Sequence, residues 1–199
     1  MVGDPKGLWN VVLSGYPRSG KTTLARRIVA DYPHFARISV DDLRAMLFNE
    51  TFPCRDEFLV YSLIADLRDK LLGRGYSVVI DSTAPDNITR QFLLTSKVKH
   101  VNRLLVIMNV SRPVLLERSL SEFNSTAIIA AYDERWEDPF SGVAVFEFKS
   151  NTPEEFESSY KCLRNFMEGE LIHKPELHPK LPALKDVRKA LRELLLKRH

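Results

Sequence analysis

The chain has 199 residues, 44% hydrophobic and 28% charged, a composition that supports one α/β domain with a buried core. Its formal charge of +3 does not imply a protein that coats nucleic acid nonspecifically, but it is compatible with a local basic groove. The two cysteines, Cys54 and Cys162, form no disulfide framework or zinc pattern and are expected to be free thiols. Because no apolar run suggests a signal peptide or a membrane span, we expect a cytoplasmic protein without a membrane partner.

The first predicted strand, residues 8–13, leads through a glycine-containing turn into a helix over residues 21–30. The turn matches G-x-x-x-x-G-K-[ST], in which the glycines permit close approach of the backbone to phosphate groups. The loop amides form an anion-binding nest, the lysine adds a positive charge, and the threonine hydroxyl binds magnesium. The sequence therefore predicts a nucleoside triphosphate site, which comprises Gly15, Tyr16, Pro17, Arg18, Ser19, Gly20, Lys21, Thr22 and Thr23.

The second predicted strand, residues 36–40, runs directly into a helical segment that begins with Asp41 and Asp42. Ligands of open parallel sheets bind at the carboxyl ends of the strands, where these aspartates are expected. Asp41 is a candidate base for a substrate hydroxyl, although aspartate is also a common helix N-cap. Asp42 is a candidate cap or a water-mediated magnesium ligand. Arg44 is either a contact to an acceptor phosphate or a solvated helix charge.

A long helix is predicted over residues 56–72, followed by a third strand over residues 76–80. Asp81 ends this strand, where a carboxylate organises magnesium or orients an acceptor; the alternative is a turn-forming aspartate. The next helix is expected over residues 88–99, capped by Asp86 or Asn87. Thr83 and Arg90 are candidates to line the acceptor side.

The remaining elements complete five strand–helix alternations, which predict a parallel sheet covered on both faces. A fourth strand is expected over residues 103–110, a helix over residues 127–136 and a fifth strand over residues 143–148. We place the main domain at residues 1–170. Residues 171–199 then hold a proline-containing linker, residues 173–182, and an amphipathic helix over residues 184–197, for which packing on the domain is favoured over membrane or partner binding.

Three segments, residues 15–22, 38–44 and 79–83, resemble in order and spacing the polynucleotide-kinase-like group of P-loop kinases. This group includes phage-type polynucleotide 5′-hydroxyl kinases, and the resemblance covers roughly residues 8–148. It implies a P-loop kinase fold with strand order 2-3-1-4-5, and ATP and magnesium as cofactors. It also implies the roles of particular residues: Asp41 as the general base, Arg44 as a contact to the acceptor phosphate, Asp81 as an acceptor-positioning group, and Lys21 and Thr22 as the phosphate and magnesium ligands.

The resemblance further implies a lid at about residues 118–138, in which Arg118 matches the group's first lid arginine. Such an arginine stabilises charge on the transferring phosphoryl group. The chain has Glu122 where the group usually has a second arginine, and Arg112, Arg118 or Arg135 are candidates to compensate. Other departures concern acceptor recognition and occur at Val40, Ala84 and Pro85.

These observations favour an ATP-dependent kinase that transfers the γ-phosphoryl group to a hydroxyl acceptor. The acceptor is either a polynucleotide 5′-hydroxyl end or a small metabolite or nucleoside. One alternative is an ATP-binding regulatory module with slow hydrolysis. Another is a nucleoside monophosphate kinase, although a short lid with few arginines argues against clamping two nucleotides.

Overall fold

The computed structural model describes residues 5–169 and 184–196. Their five strands form one parallel sheet in the order β2-β3-β1-β4-β5, which confirms the predicted fold class and strand order. The strands are β1 (Leu8–Ser14), β2 (Phe35–Ser39), β3 (Ser77–Asp81), β4 (Val101–Asn109) and β5 (Ala144–Lys149).

Helices cover both faces of the sheet. None of those in the described residues is long and apolar enough to cross a membrane. The helices are α1 (Lys21–Asp31), α2 (Val40–Phe48), α3 (Glu57–Gly73), α4 (Asn87–Leu94), α5 (Arg112–Phe123), α6 (Ala127–Asp133), α7 (Pro153–Glu168) and α8 (Leu184–Leu196).

Alternation along β1 divides the core into two layers. Val12 packs in a cluster with residues of α3, α4 and α8, whereas Val11 and Leu13 pack in a second cluster with residues of α1 and α7. The side chains of all three residues of β1 have 0% exposure: Val11, Val12 and Leu13. The central strand is therefore buried on both faces, as a parallel sheet between two helical layers requires.

Helix α4 ends at Leu94, so the prediction of a helix reaching residue 99 was wrong. The amide of Asn10 donates to the carbonyl oxygens of Leu93 and Leu94 at 3.0 and 3.2 Å. The buried guanidinium of Arg68 donates to the carbonyl oxygens of Phe92 and Leu93, each at 3.0 Å. These side chains, from β1 and α3, satisfy carbonyl groups that a longer helix would have used internally.

Helix α8 packs on the domain through Val187, Leu191 and Leu195, which are buried in the same cluster as residues of α3 and α4. The predicted linker at residues 173–182 lies outside the described residues. The apolar side of α8 is thus part of the core beside β1, and its contacts should contribute to the stability of the whole sheet domain.

We expect Leu191→Ala to lower the free energy of unfolding by about 2–5 kcal/mol, because it leaves a cavity in a fully buried site. Leu196→Ala is the matched control, since Leu196 is 68% exposed on the same helix. Denaturant unfolding followed by circular dichroism measures both changes. Equal stability of the two variants would show that α8 does not support the domain.

Candidate functional site

The loop between β1 and α1 is shaped by two glycines. A Cβ atom on Gly15 would lie 2.7 Å from the Cβ atom of Met108, so a side chain does not fit there. Gly20 has φ 92°, in the left-handed region, and is the N-cap residue of α1. Because it makes no side-chain cap, the first-turn N–H groups of α1 remain available to an anion.

Lys21 connects this loop to the carboxylates beside it. The residue is 8% exposed, and its ammonium group donates to the carbonyl oxygens of Gly15 and Tyr16 at 2.9 and 2.6 Å. Burial lowers the pKa of Lys21 to about 8, whereas the charges of Asp81 and Asp41 raise it. Lys21 is therefore an electrostatic neighbour of both aspartates that the sequence singled out.

A cavity of about 790 Å³ opens beside the loop, between α1 and the segment that follows β5. The hydroxyl of Ser150 donates to the carbonyl oxygen of Ser19 at 2.8 Å, which fixes that segment to the loop. The guanidinium of Arg118 donates to the carbonyl oxygens of Ser150 and Asn151 at 2.7 and 3.0 Å. The volume suits a nucleotide, and the lining includes residues that the sequence did not single out: Arg26, Arg27, Ser150, Thr152, Pro153, Phe156 and Glu157.

The oxygen ligands near the cavity fit a magnesium ion that is held mainly by the nucleotide. Thr22 is exposed and lines the cavity, so its hydroxyl is accessible. Among residues 5–169 and 184–196 there is no cluster of three or more His, Cys, Asp or Glu side chains that would form a protein-only site. Asp42 and Asp81 both accept hydrogen bonds from Arg37.

We use the name acceptor edge for Arg37, Asp41, Asp42, Arg44, Glu57 and Asp81, which lie around the carboxyl ends of β2 and β3. The register aligns Ser39 of β2 and Leu13 of β1 with Asp81 of β3, which brings this edge beside the phosphate loop. Arg37 donates to Asp81 at 2.7 and 3.1 Å and to Asp42 at 2.6 Å. Arg37 could not be recognised from the sequence, because its partners lie on another strand and on the next helix.

Arg44 is enclosed within the protein. Its guanidinium makes a bidentate pair with Glu57, through bonds of 2.9 and 2.8 Å, and also binds the carboxylate of Asp41. The side chains of Arg44 and Glu57 are 5% and 2% exposed, whereas that of Asp41 is 73% exposed. Glu57 lies in the first turn of α3, where an acidic residue commonly interacts favourably with the helix dipole. The sequence therefore did not reveal its pairing with Arg44.

Arg90 is fully buried and binds the end of the predicted lid. It donates to the carbonyl oxygens of Ala84 at 2.9 Å and Glu137 at 2.5 Å, and the ring of Trp136 covers it at 4.8 Å. Thr83, also predicted on the acceptor side, accepts a hydrogen bond from the Tyr132 hydroxyl at 3.3 Å. Arg90 thus contacts the segment that joins α6 to β5, and Thr83 contacts α6 itself.

The phosphate loop contacts the predicted lid through two side chains. Tyr16 stacks on Trp136 at 5.0 Å and donates to Asp133 at 2.9 Å. Burial, helped by the bond to Asp133, raises the pKa of the Tyr16 hydroxyl to about 12. Arg18 forms an ion pair of 3.0 Å with Glu122 of α5, so the glutamate that replaces a second lid arginine binds a cation of the loop.

A glycine-shaped loop between a buried strand and a helix, within a 2-3-1-4-5 parallel sheet, defines the class of P-loop nucleotide-binding proteins with the strand order of the P-loop kinases. The chain belongs to the family described as AAA domain, whose profile matches residues 11–121. Family and fold together confirm the resemblance to P-loop kinases of the polynucleotide-kinase-like group. A comparison with curated proteins gave no match.

Solved structures with similar folds include a gluconokinase from Sinorhizobium meliloti 1021, with 20% identity, 81% of this chain and 95% of that chain covered, and a TM-score of 0.59. Chaetomium thermophilum Kti12 in complex with ADP-AlF3 has 17% identity, coverage of 79% and 98%, and a TM-score of 0.56. The Pnkp1/Rnl/Hen1 complex has 21% identity, coverage of 60% and 40%, and a TM-score of 0.52. At these identities the likeness establishes the fold.

We expect nucleotide affinity to fall as the pH rises through about 8, the pKa of Lys21 in the free protein. Below this pH the lysine is already charged and can bind phosphate. Above it, binding must first protonate the amine, which costs about 1.4 kcal/mol, or tenfold in affinity, for each pH unit. Calorimetric titration with ADP between pH 7.5 and 9.5 measures the effect, and Lys21→Met should bind weakly without this dependence. A flat wild-type profile would contradict the prediction.

We also expect Glu57→Gln to lower the free energy of unfolding by about 3–5 kcal/mol, because it leaves the Arg44 charge buried without its bidentate partner. Glu50→Gln provides a matched control, since Glu50 pairs with Arg55 near the surface, where an ion pair contributes little. Urea denaturation of the two variants gives the comparison. If both lose the same small amount, the buried pair is not a major source of stability.

Proposed function

We propose that the protein is an ATP-dependent phosphotransferase that acts on a hydroxyl acceptor. The observation that supports this most directly is the strand register, which aligns Asp81 of β3 with Leu13 of β1 and with Ser39 of β2 and so brings the aspartates at the ends of these strands beside the phosphate loop. Asp41 and Asp81 both act electrostatically on a lysine that is itself bonded to the phosphate loop. A site for triphosphate and a site for a proton acceptor thus adjoin each other, as phosphoryl transfer to a hydroxyl group requires.

In the proposed reaction the exposed carboxylate of Asp41 accepts the proton of the acceptor hydroxyl. The acceptor oxygen then bonds to the γ-phosphorus as the bond to the ADP oxygen breaks. Arg44 holds Asp41 in place, and the protonated amine of Lys21 stabilises negative charge on the phosphoryl oxygens. A bound magnesium ion, held by the Thr22 hydroxyl and phosphate oxygens, would supply further charge neutralisation.

Arg118 is proposed to assist the transfer from the lid side. Its side chain lines the cavity, and its guanidinium is oriented by carbonyl oxygens from the phosphate loop and from the segment after β5. A cation fixed in this way suffers little reorganisation when the charge of the transition state develops. Its position supports the assignment that the sequence resemblance implied.

A second candidate function is an ATP-binding regulatory module with slow hydrolysis. The ion pair between Arg18 and Glu122 favours this second function, because it pairs a cation of the phosphate loop with a carboxylate of the predicted lid. Such a module would bind ATP and ADP and would hydrolyse ATP to ADP slowly, at a rate that does not depend on any acceptor. The two functions are therefore separated by whether ADP formation requires an acceptor.

We expect ADP formation to be stimulated by a hydroxyl acceptor and to fall by about 10²–10⁴-fold in Asp41→Asn, because this variant lacks the general base. A coupled ADP assay with polyols, sugars, nucleosides, nucleoside monophosphates and 5′-hydroxyl oligonucleotides makes the measurement. Nucleotide binding by Asp41→Asn should persist.

The matched control is Asp66→Asn, which removes an exposed carboxylate from α3 outside the acceptor edge. Its acceptor-dependent rate should equal that of the wild type. Slow ADP formation that no acceptor stimulates, and that Asp41→Asn does not change, would instead support the regulatory module.

A further inference from the structure

We infer that the acceptor is an uncharged hydroxyl compound rather than a phosphorylated one. This inference rests on the proposed function and concerns the charge of its second substrate. It starts from the two arginines expected on the acceptor side, Arg44 as a contact to an acceptor phosphate and Arg90 as a lining residue. Both are almost completely buried, at 4% and 0% exposure, and both are bound by groups of the protein itself.

Arg44 cannot readily exchange its partner for a ligand phosphate. Both oxygens of Glu57 are bound to its guanidinium, at 2.9 and 2.8 Å, and Glu57 itself is 2% exposed. Removing Arg44 from this pair would leave a buried carboxylate without a counter-charge, which is strongly unfavourable. Arg44 also binds Asp41, which orients the proposed base.

Arg90 is committed to the lid segment. Its guanidinium donates to the hydroxyl of Ser14, the side chain of Asn87 and the carbonyl oxygens of Ala84 and Glu137. The ring of Trp136 lies over it at 4.8 Å. The Nη2 atom of Arg90 has no hydrogen-bond partner in the part of the chain that the structure describes, but the residue has 0% exposure, so a phosphate could reach this nitrogen only if the residues that enclose it moved.

The acceptor edge as a whole is negative. It has four carboxylates but only two arginines, Arg44 and Arg37, and Arg37 is bound to Asp81 and Asp42. The formal charge of the acceptor edge is therefore −2. The side chain of Asp41, which must approach the acceptor oxygen, is 73% exposed. Its carboxylate would repel any anionic group that the acceptor carries.

Lys21 acts electrostatically on Asp41 and Asp81, but it is bonded to the phosphate loop and serves the nucleotide in the proposed function. Arg135 is a second cation near this edge that could oppose the inference. Its guanidinium lies over the rings of Phe52 and Tyr132, at 4.7 and 5.1 Å, and Phe52 also contacts Arg44 at 5.1 Å. Since one half-buried arginine does not reverse a charge of −2, the edge should still favour a neutral acceptor. Arg135 nevertheless provides the variant that can overturn the proposal.

The first test compares acceptors that differ by one anionic group: D-glucitol with D-gluconate, glycerol with glycerol 3-phosphate, and thymidine with thymidine 3′-phosphate. At saturating ATP, we expect kcat/KM for the neutral member to be at least about tenfold higher in each pair that reacts. Equal or higher kcat/KM for the anionic member would overturn the inference while leaving the phosphotransferase function intact.

Asp42→Asn removes one charge of the acceptor edge and should lower this neutral-to-anionic ratio severalfold. Asp66→Asn removes a carboxylate elsewhere on the surface and should leave the ratio unchanged. An equal effect of the two variants would mean that the total charge of the protein, rather than the acceptor edge, determines the preference, and would overturn the inference.

A binding test gives a result even if no acceptor in the panel reacts. The ADP-saturated protein is titrated calorimetrically with sodium phosphate, with sodium chloride at matched ionic strength as the control. We expect no saturable phosphate site up to 10 mM, a concentration about tenfold above the 1 mM affinity that would correspond to a useful site. A saturable site that is lost in Arg135→Ala would overturn the inference, whereas failure of the proposed function would appear separately as the absence of any acceptor-stimulated ADP formation.

Discussion

The parallel pairing of β1 with β3 on one side and β4 on the other is the constraint on which both halves of the site depend. Leu13 is in register with Asp81 of β3 and with Val106 of β4, so the loop after β1 emerges between two neighbouring strands. Met108 of β4 then contacts the position where Gly15 would carry a Cβ atom. The sheet therefore selects glycine in the loop and delivers Asp81 beside it.

Two arginines make this crowded edge compatible with folding. Asp42 and Asp81 share one arginine and Asp41 and Glu57 share another, and neighbouring carboxylates destabilise a fold unless cations separate them. Arg37 binds Asp81 and Asp42, and Arg44 binds Asp41 and Glu57. The same bonds that stabilise the edge also leave Asp41 as its most exposed carboxylate. Stability and the proposed chemistry thus come from one arrangement.

The features that could be predicted were those encoded over short stretches of sequence. The phosphate loop is contiguous, and Asp41 and Asp81 follow apolar strands directly, so their location at one edge follows from parallel pairing alone. The partners of the arginines could not be predicted, because Arg37 and Asp81 are 44 residues apart and Arg44 and Glu57 are 13 apart. The early end of α4 escaped prediction for the same reason, since Asn10 and Arg68 reach its carbonyl groups from other elements.

The two ends of the predicted lid are attached to different halves of the site. Near its start, Arg118 binds carbonyl oxygens beside the nucleotide cavity; near its end, Glu137 binds Arg90 and the backbone N–H of Asn87. Any rearrangement that preserves these bonds is confined to the segment between them. Tyr16 contacts that segment through Asp133. Because Tyr16 also belongs to the phosphate loop, this hydrogen bond links the loop directly to the part of the lid between its two attached ends.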